Sequence, residues 1–174
     1  MQKPKLIQFH HDCFNVLCSD LNAVSPYEGC ALLIGDKHSQ NSLFNSLIFR
    51  IILIWPCSNL WGNELAGLNY PFNDFFEDFS KDSAKRNHFL LDPREQLAAQ
   101  KWSRNRNLEV LGIAHSHPEG ESKPSKLDLE MSHFSQLMII MNRRSDIQAW
   151  WISNSQPGLP EQIPYEISYL ANKT

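Results

Sequence analysis

Apolar runs short enough to be strands follow one another along this chain with no helix between them, which excludes a doubly wound parallel sheet. Residues 31–34, closed by Gly35, and residues 47–55 read as two consecutive strands, with a polar turn over 37–42 between them. Three more runs, at 136–141, 147–153 and 165–170, finish the chain as strands. Helices are predicted between these groups. Phe14, Leu17, Leu21 and Val24 recur at steps of three and four within 7–24, with Cys13 and Cys18 beside the stripe, until Ser25-Pro26 ends it. Asp92-Pro93-Arg94-Glu95 announces a second helix, with Asp92 as N-cap, Pro at the first position and Glu95 reaching back. Leu97, Ala98 and Trp102 are its expected inner face, and Asn105 to Asn107 its end. Residues 108–114 read as a central strand, and a third helix is expected from Pro124-Ser125 to about His133. The order predicts an α/β chain of the α+β-like kind, a mixed sheet with helices packed on it.

Composition sharpens the picture. A chain of 174 residues suits a single domain spanning 1–174, and 42% hydrophobic with 11% aromatic residues excludes disorder as the main state. A net charge of −3 argues against a nucleic-acid partner bound through a general basic field. The most apolar stretch, residues 46–55, is interrupted by Arg50 and falls short of the roughly 20 residues of a spanning helix, so no membrane association is expected. Met1 to Gln8 has no apolar run of the signal-peptide kind. Cys13, Cys18, Cys30 and Cys57 form no Cys-x-x-Cys pair and read as free thiols of a reducing compartment, so the expected location is cytoplasmic.

Residues 57–88 stand apart. Trp61, Tyr70, Phe72, Phe75, Phe76 and Phe79 are mixed there with Gly62, Gly67 and Pro71. A structureless loop of that length is unusual in a compact domain. Its aromatics either pack back on the body or form a flap that faces a partner.

The chemistry is concentrated in His115-Ser116-His117-Pro118 and the residues up to Asp128. Side chains alternate along a strand, so His115 and His117 point one way and Ser116 the other. Two imidazoles can therefore reach one metal ion. Asp128, in the first turn after Ser125, can swing its carboxylate back to meet them. Two His and one carboxylate are a ligand set of catalytic zinc, which keeps a fourth position for water and lowers its pKa from about 15.7 to about 7. Each part has a plainer explanation: surface histidines for His-x-His, and a capping box for Ser125-x-x-Asp128. The whole arrangement would arise by chance in well under about one in a hundred chains of this length. Ser125 can cap the helix and face the metal at once. Glu28, just before the first of the paired strands, reads on its own as a solvated strand-edge carboxylate. His10 and His11 on the first helix, His133, and His38 and His88 in loops read as structural or solvated.

With a Glu upstream, His-Ser-His-Pro, and seven residues (118–124) between His117 and Ser125-x-x-Asp128, the chain resembles the JAMM (MPN+) metalloprotease family of compact prokaryotic type. Glu28-Gly-Cys30 and Leu91-Asp-Pro-Arg-Glu-Gln-Leu-Ala98 extend the likeness, which covers about residues 5–153. Ala31 departs from the glycine that many members carry, and residues 57–88 exceed what compact members need. The resemblance implies a curved mixed sheet between helices, of cytidine-deaminase-like kind. Deaminase chemistry is disfavoured, because the chain has no Cys-x-x-Cys. The resemblance further implies that His115, His117 and Asp128 hold one zinc ion, that Glu28 moves the proton, and that Ser125 helps stabilise the oxyanion. The implied activity is hydrolysis of an amide at the C-terminal tail of a ubiquitin-like or sulfur-carrier protein, with the aromatics of 57–88 docking that substrate. The alternative is a catalytically inactive MPN-type scaffold, although such relatives typically lose a ligand or the Glu.

Overall fold

A strand buried on both faces has no polar side, and this explains why so many of these strands read as unbroken apolar runs. The computed structural model describes residues 1–40, 46–61, 85–153 and 158–168. Its elements are β1 (Leu6–His10), α1 (His11–Ala23), β2 (Cys30–Gln40), β3 (Ser46–Cys57), α2 (Pro93–Arg104), β4 (Glu109–His117), α3 (Lys126–Met131), β5 (Gln136–Asn142), β6 (Ile147–Ile152), β7 (Glu161–Ile163) and β8 (Tyr165–Ser168). The strands form one mixed sheet in the order β7-β6-β5-β4-β2-β3-β1-β8. β1 runs parallel to β3 and β8, β4 runs parallel to β5, and the other neighbours are antiparallel. No helix among the described residues is long and apolar enough to cross a membrane.

The sheet curls until its edges nearly meet. β7 lies at one edge and β8 at the other, yet Pro164 alone separates them in the chain, and its carbonyl accepts from the Ile7 amide at 3.1 Å. Phe49 on β3 and Trp151 on β6 touch edge to face at 6.4 Å across the concave side, although three strands lie between them in the sheet. Two bulges supply the bend. β2 shifts register against β4 between Leu33 and Ile34, leaving Leu111 as the extra residue, and against β3 between Ile34 and Gly35, leaving Ile52. Gly35 sits at the second bulge with no room for a side chain, since a Cβ there would fall 1.7 Å from the Arg50 carbonyl oxygen. Backbone cannot yield as a flexible side chain does. Gly35→Ala is therefore expected to destabilise the fold by about 3 kcal/mol, read as a fall in denaturation midpoint.

One face carries the main core: Ile7, Phe9, Ala31, Leu33, Phe49, Ile51 and Trp151, covered by Leu17 and Leu21 of α1. The other face takes Leu32 and Ile34 against Ala99 of α2, and Met138 and Ile140 beside Leu129 of α3. The successive residues 31–34 thus feed two cores alternately.

The mixed, helix-flanked architecture agrees with the sequence expectation, with local corrections. The first helix does not begin at residue 7. Ile7 and Phe9 are fully buried at a spacing of two, so residues 6–10 are strand β1, with His10 as its last residue. Val24, 45% exposed, lies outside the core. Residues 37–40 are not a turn but the outer part of β2, so His38 lies in a strand. There Lys37 pairs with Glu109, and the backbone stays laddered to β3 beyond the core, so polar side chains cost nothing. Residues 41 and 42 lie outside the described residues. α2 has the predicted cap, with Asp92 Oδ1 accepting from the Arg94 amide at 2.8 Å. Its inner face is nevertheless Ala99 and Ser103, with the expected Trp102 packed beside them against Trp55, while Leu97 is 64% exposed and Ala98 is also exposed. Small residues let the helix approach the sheet, and the Ser103 hydroxyl is satisfied by the Ala99 carbonyl at 2.7 Å. Three-residue β7 was too short to signal itself. Of the aromatic stretch, Trp61 is buried and stacks on His88 at 4.7 Å, whereas Tyr70, Phe72, Phe75, Phe76 and Phe79 lie outside the described residues. All four cysteines are free.

Candidate metal centre

β4 ends on the two histidines. The bulge at Leu111 resets the alternation, so that Ala114 faces the main core while Ile113 faces the side of α2 and α3. His115 and His117 continue on the Ile113 side. Ser116 points the other way, as the strand period requires: its Oγ accepts from the Gly29 amide at 2.9 Å, and its amide donates to the Gly29 carbonyl at 3.0 Å. The histidine strand is thereby tied to the residue after Glu28.

His117 Nδ1 lies 2.8 Å from the Glu121 carbonyl oxygen. A carbonyl only accepts, so Nδ1 carries the proton and Nε2 presents a lone pair, the form a metal ligand needs. The turn that supplies this carbonyl is itself anchored, with Trp150 Nε1 donating to the Ser122 carbonyl at 2.8 Å. His115 is fully buried, and its ring stacks on Phe89 at 4.3 Å. Burial pushes its pKa down, against the pull of Asp128, and so favours the neutral ring.

α3 delivers the third group. Ser125 and Asp128 form a complete capping box: Ser125 Oγ accepts from the Asp128 amide at 3.1 Å, and Asp128 Oδ2 accepts from the Ser125 amide at 2.7 Å. The plainer explanation of Ser125-x-x-Asp128 is thus correct, and the cap aims the carboxylate inward. Asp128 Oδ1 stands 3.4 Å from His115 Nε2, and Oδ2 the same distance from His117 Nε2. Burial works to raise the Asp128 pKa. The two imidazoles and Ser125 outweigh it and hold the carboxyl well below the usual carboxylate range.

Glu28 Oε1 lies 3.8 Å from His117 Nε2, and the residue is 4% exposed, so it is not the solvated strand-edge carboxylate its local sequence suggests. Burial first, then the Asp128 carboxylate, push its pKa up to about 9. Ser125, at the helix start, is exposed. A cavity of about 300 Å³ opens beside Asp128 and is lined by Phe89, Leu91, Leu127, Met131 and Phe134 among others.

The donor set fits a metal ion. One ligand atom from each of His115, His117 and Asp128 falls within 4.8 Å of the others, forming a group able to hold a cation. The two Nε2 atoms are 2.9 Å apart and both face the Asp128 carboxylate, a convergence of ligand atoms that suits a cation. His115 Nδ1 is buried without a hydrogen-bond partner among the described residues, and its Nε2 faces His117 Nε2 and Asp128 Oδ1.

Residues 10–153 match the family described as prokaryotic homologs of the JAB domain. The chain belongs to that family. A relative of this JAB-domain chain, named Desampylase, from Pyrococcus furiosus, is 39% identical over 66 residues, which are 37% of this chain and 47% of the relative. The match therefore spans about half the length of that curated relative. The solution structure of a protein from Desulfitobacterium hafniense superposes with a TM-score of 0.68 at 20% identity, covering 94% of this chain and 93% of the other. One from Salinibacter ruber gives 0.54 at 17% identity, covering 96% and 94%. These two show the fold. In the JAB-domain chain the five residues singled out from sequence, Glu28, His115, His117, Ser125 and Asp128, lie near one another or cap the helix that carries one of them. Four contributors were not anticipated: Phe89, Trp150, the Glu121 carbonyl and the Ser116 hydroxyl. Backbone groups leave no side-chain signal, and Phe89 and Trp150 are ordinary apolar residues until the fold places them.

Proposed function

We propose that this chain is a zinc-dependent peptidase or isopeptidase that hydrolyses an amide bond at the C-terminal tail of a ubiquitin-like or sulfur-carrier protein. The observation that carries the reading is a buried carboxyl, Glu28, standing 3.8 Å from an imidazole whose Nε2 converges with His115 and Asp128. His115 Nε2, His117 Nε2 and the Asp128 carboxylate would hold the zinc. When bound, zinc supplies the Lewis acidity that makes water nucleophilic at neutral pH.

The remaining work falls to the chain. Glu28 accepts the proton from the attacking water at Oε1 and returns it to the departing amine, which restores the carboxylate. Without a metal, burial pushes its pKa up to about 9, which leaves the carboxyl protonated at neutral pH and able to donate but not to accept. Beside a bound dication the same carboxyl ionises more easily. The Ser125 hydroxyl, at the mouth of the site, can donate to the developing oxyanion once a substrate carbonyl is present. The cavity bounded by Phe89, Leu127, Met131 and Phe134 adjoins Asp128, where an apolar side chain of the tail would pack while the scissile amide reaches Glu28. The name of the Pyrococcus relative supports a hydrolase that acts on a small protein modifier.

The test pairs two measurements on the purified chain: zinc stoichiometry, and cleavage of a ubiquitin-like protein carrying a fluorogenic amide at its C-terminus. We expect one zinc per chain, loss of cleavage after chelation and recovery on adding zinc back. Cleavage that persists after the metal is stripped, or a zinc-loaded chain that cleaves no such tail, would overturn the reading.

A further inference from the structure

Glu28 lies two residues before β2 begins, so no ladder of the sheet holds it. Its backbone is held from outside the sheet. The Glu28 amide donates to the Lys85 carbonyl at 2.8 Å, and the Glu28 carbonyl accepts from Asn59 Nδ2 at 3.0 Å. Asn59 stands two residues past the end of β3, and its side chain makes four hydrogen bonds, all to backbone. Nδ2 donates to the carbonyls of Glu28 and His88, each at 3.0 Å. Oδ1 accepts from the amides of Trp61 at 2.9 Å and Leu90 at 3.1 Å. The backbone adds an isolated bridge between Asn59 and Leu91 and a bond from the Leu60 amide to the Leu90 carbonyl at 2.8 Å.

Phe89, the residue whose ring lies 4.3 Å from His115, sits between the two positions that Asn59 grips in that segment, His88 and Leu90. One carboxamide thus joins three pieces of chain that are remote in sequence: the Glu28 backbone, the strip carrying Phe89, and the exit of β3. A carboxamide presents two donors and two acceptor lone pairs in one plane, and all four are used here. A carboxylate would keep the two acceptor bonds and lose both donor bonds, including the one to Glu28.

We propose that Asn59 is a positioning residue. Its amide sets where the Glu28 carboxyl and the Phe89 ring stand relative to the two histidines, while the metal ligands, carried by β4 and α3, do not depend on it. The proposal rests on the reading of Glu28 as the proton carrier. Misplacing such a group by about 1 Å costs about 100-fold in rate, so the expected signature is a loss in kcat with little change in KM or in zinc affinity.

The experiment compares Asn59→Asp and Asn59→Ala with the wild-type chain, all zinc-loaded, on the same C-terminal fluorogenic amide of a ubiquitin-like protein. Zinc affinity is measured by chelator competition, and hydrogen exchange is followed over 26–31, 86–91 and the strands β5 and β6. Both variants should lose about 100-fold in kcat, with KM and zinc affinity within about twofold of wild type. Protection should fall together in 26–31 and 86–91 and stay unchanged in β5 and β6. Wild-type kcat in the variants, or protection lost equally throughout the sheet, would overturn the proposal. If the wild-type chain binds zinc yet cleaves nothing, the hydrolase reading fails and exchange decides the clasp alone: joint loss in the two segments upholds it, and loss in one or neither overturns it. Should neither variant fold, the wild-type chain still answers, because both side-chain amide protons of Asn59 should exchange slowly in deuterated water, and their immediate loss would overturn the clasp.

Discussion

Glu28→Gln is expected to lower the hydrolysis rate by about 1000-fold while the chain keeps its zinc. Gln preserves the shape and polarity of the side chain and removes only its ability to take and return a proton. Glu28 is not among the three convergent ligands, so zinc stoichiometry should match wild type. Stability should not suffer either. Burial pushes the Glu28 pKa up to about 9, so the metal-free fold already holds this carboxyl in its neutral form at neutral pH, and a neutral amide replaces it at little cost. Steady-state kinetics with a metal assay on the same preparation check all three points. A zinc-loaded Glu28→Gln chain that cleaves at the wild-type rate would remove Glu28 from the mechanism.

Asp128→Asn attacks the other half of the site and separates two roles of one residue. The amide oxygen of Asn can still accept from the Ser125 backbone at the position Asp128 Oδ2 now fills, so α3 should remain capped and the denaturation midpoint close to wild type. The negative charge that faces both imidazoles at 3.4 Å is lost. Replacing groups that merely orient a ligand costs about 10–100-fold in metal affinity, so removing a ligand's charge should cost more than about 100-fold. Competition with a chelator of known affinity measures this directly, and hydrolysis at limiting zinc should fall in step. Wild-type zinc affinity in Asp128→Asn would mean that the metal, if bound, sits elsewhere.

The contrast between these residues shows where local sequence suffices. His115-Ser116-His117 and Ser125-x-x-Asp128 could be read directly because short-range geometry governs them: strand alternation puts two imidazoles on one side, and a capping box aims a carboxylate within one helical turn. The cap of α2 was equally legible. Phe14, Leu17 and Leu21 mark a helix correctly, but its expected start at residue 7 lies too early, because the alternation of Ile7 and Phe9 that marks β1 is too short to stand out. On α2, apolar identity pointed to Leu97 and Ala98 as the inner face, whereas packing turned the smaller Ala99 and Ser103 toward the sheet.

What the chain by itself determined is the donor set, its tight local spacing and the helix caps, all consequences of interactions within about a dozen residues, and, through the order of its elements, the mixed character of the sheet. Tertiary structure alone decided that Glu28 lies beside His117, that Phe89 covers His115, that Asn59 binds the Glu28 backbone to both, and that the sheet closes on itself at Pro164. Those contacts join residues 26 to 157 positions apart, and no periodicity or cap encodes them. They arise only when both faces of a bulged sheet are buried at once, and the curl that results carries distant backbone and side chains to one end of β4.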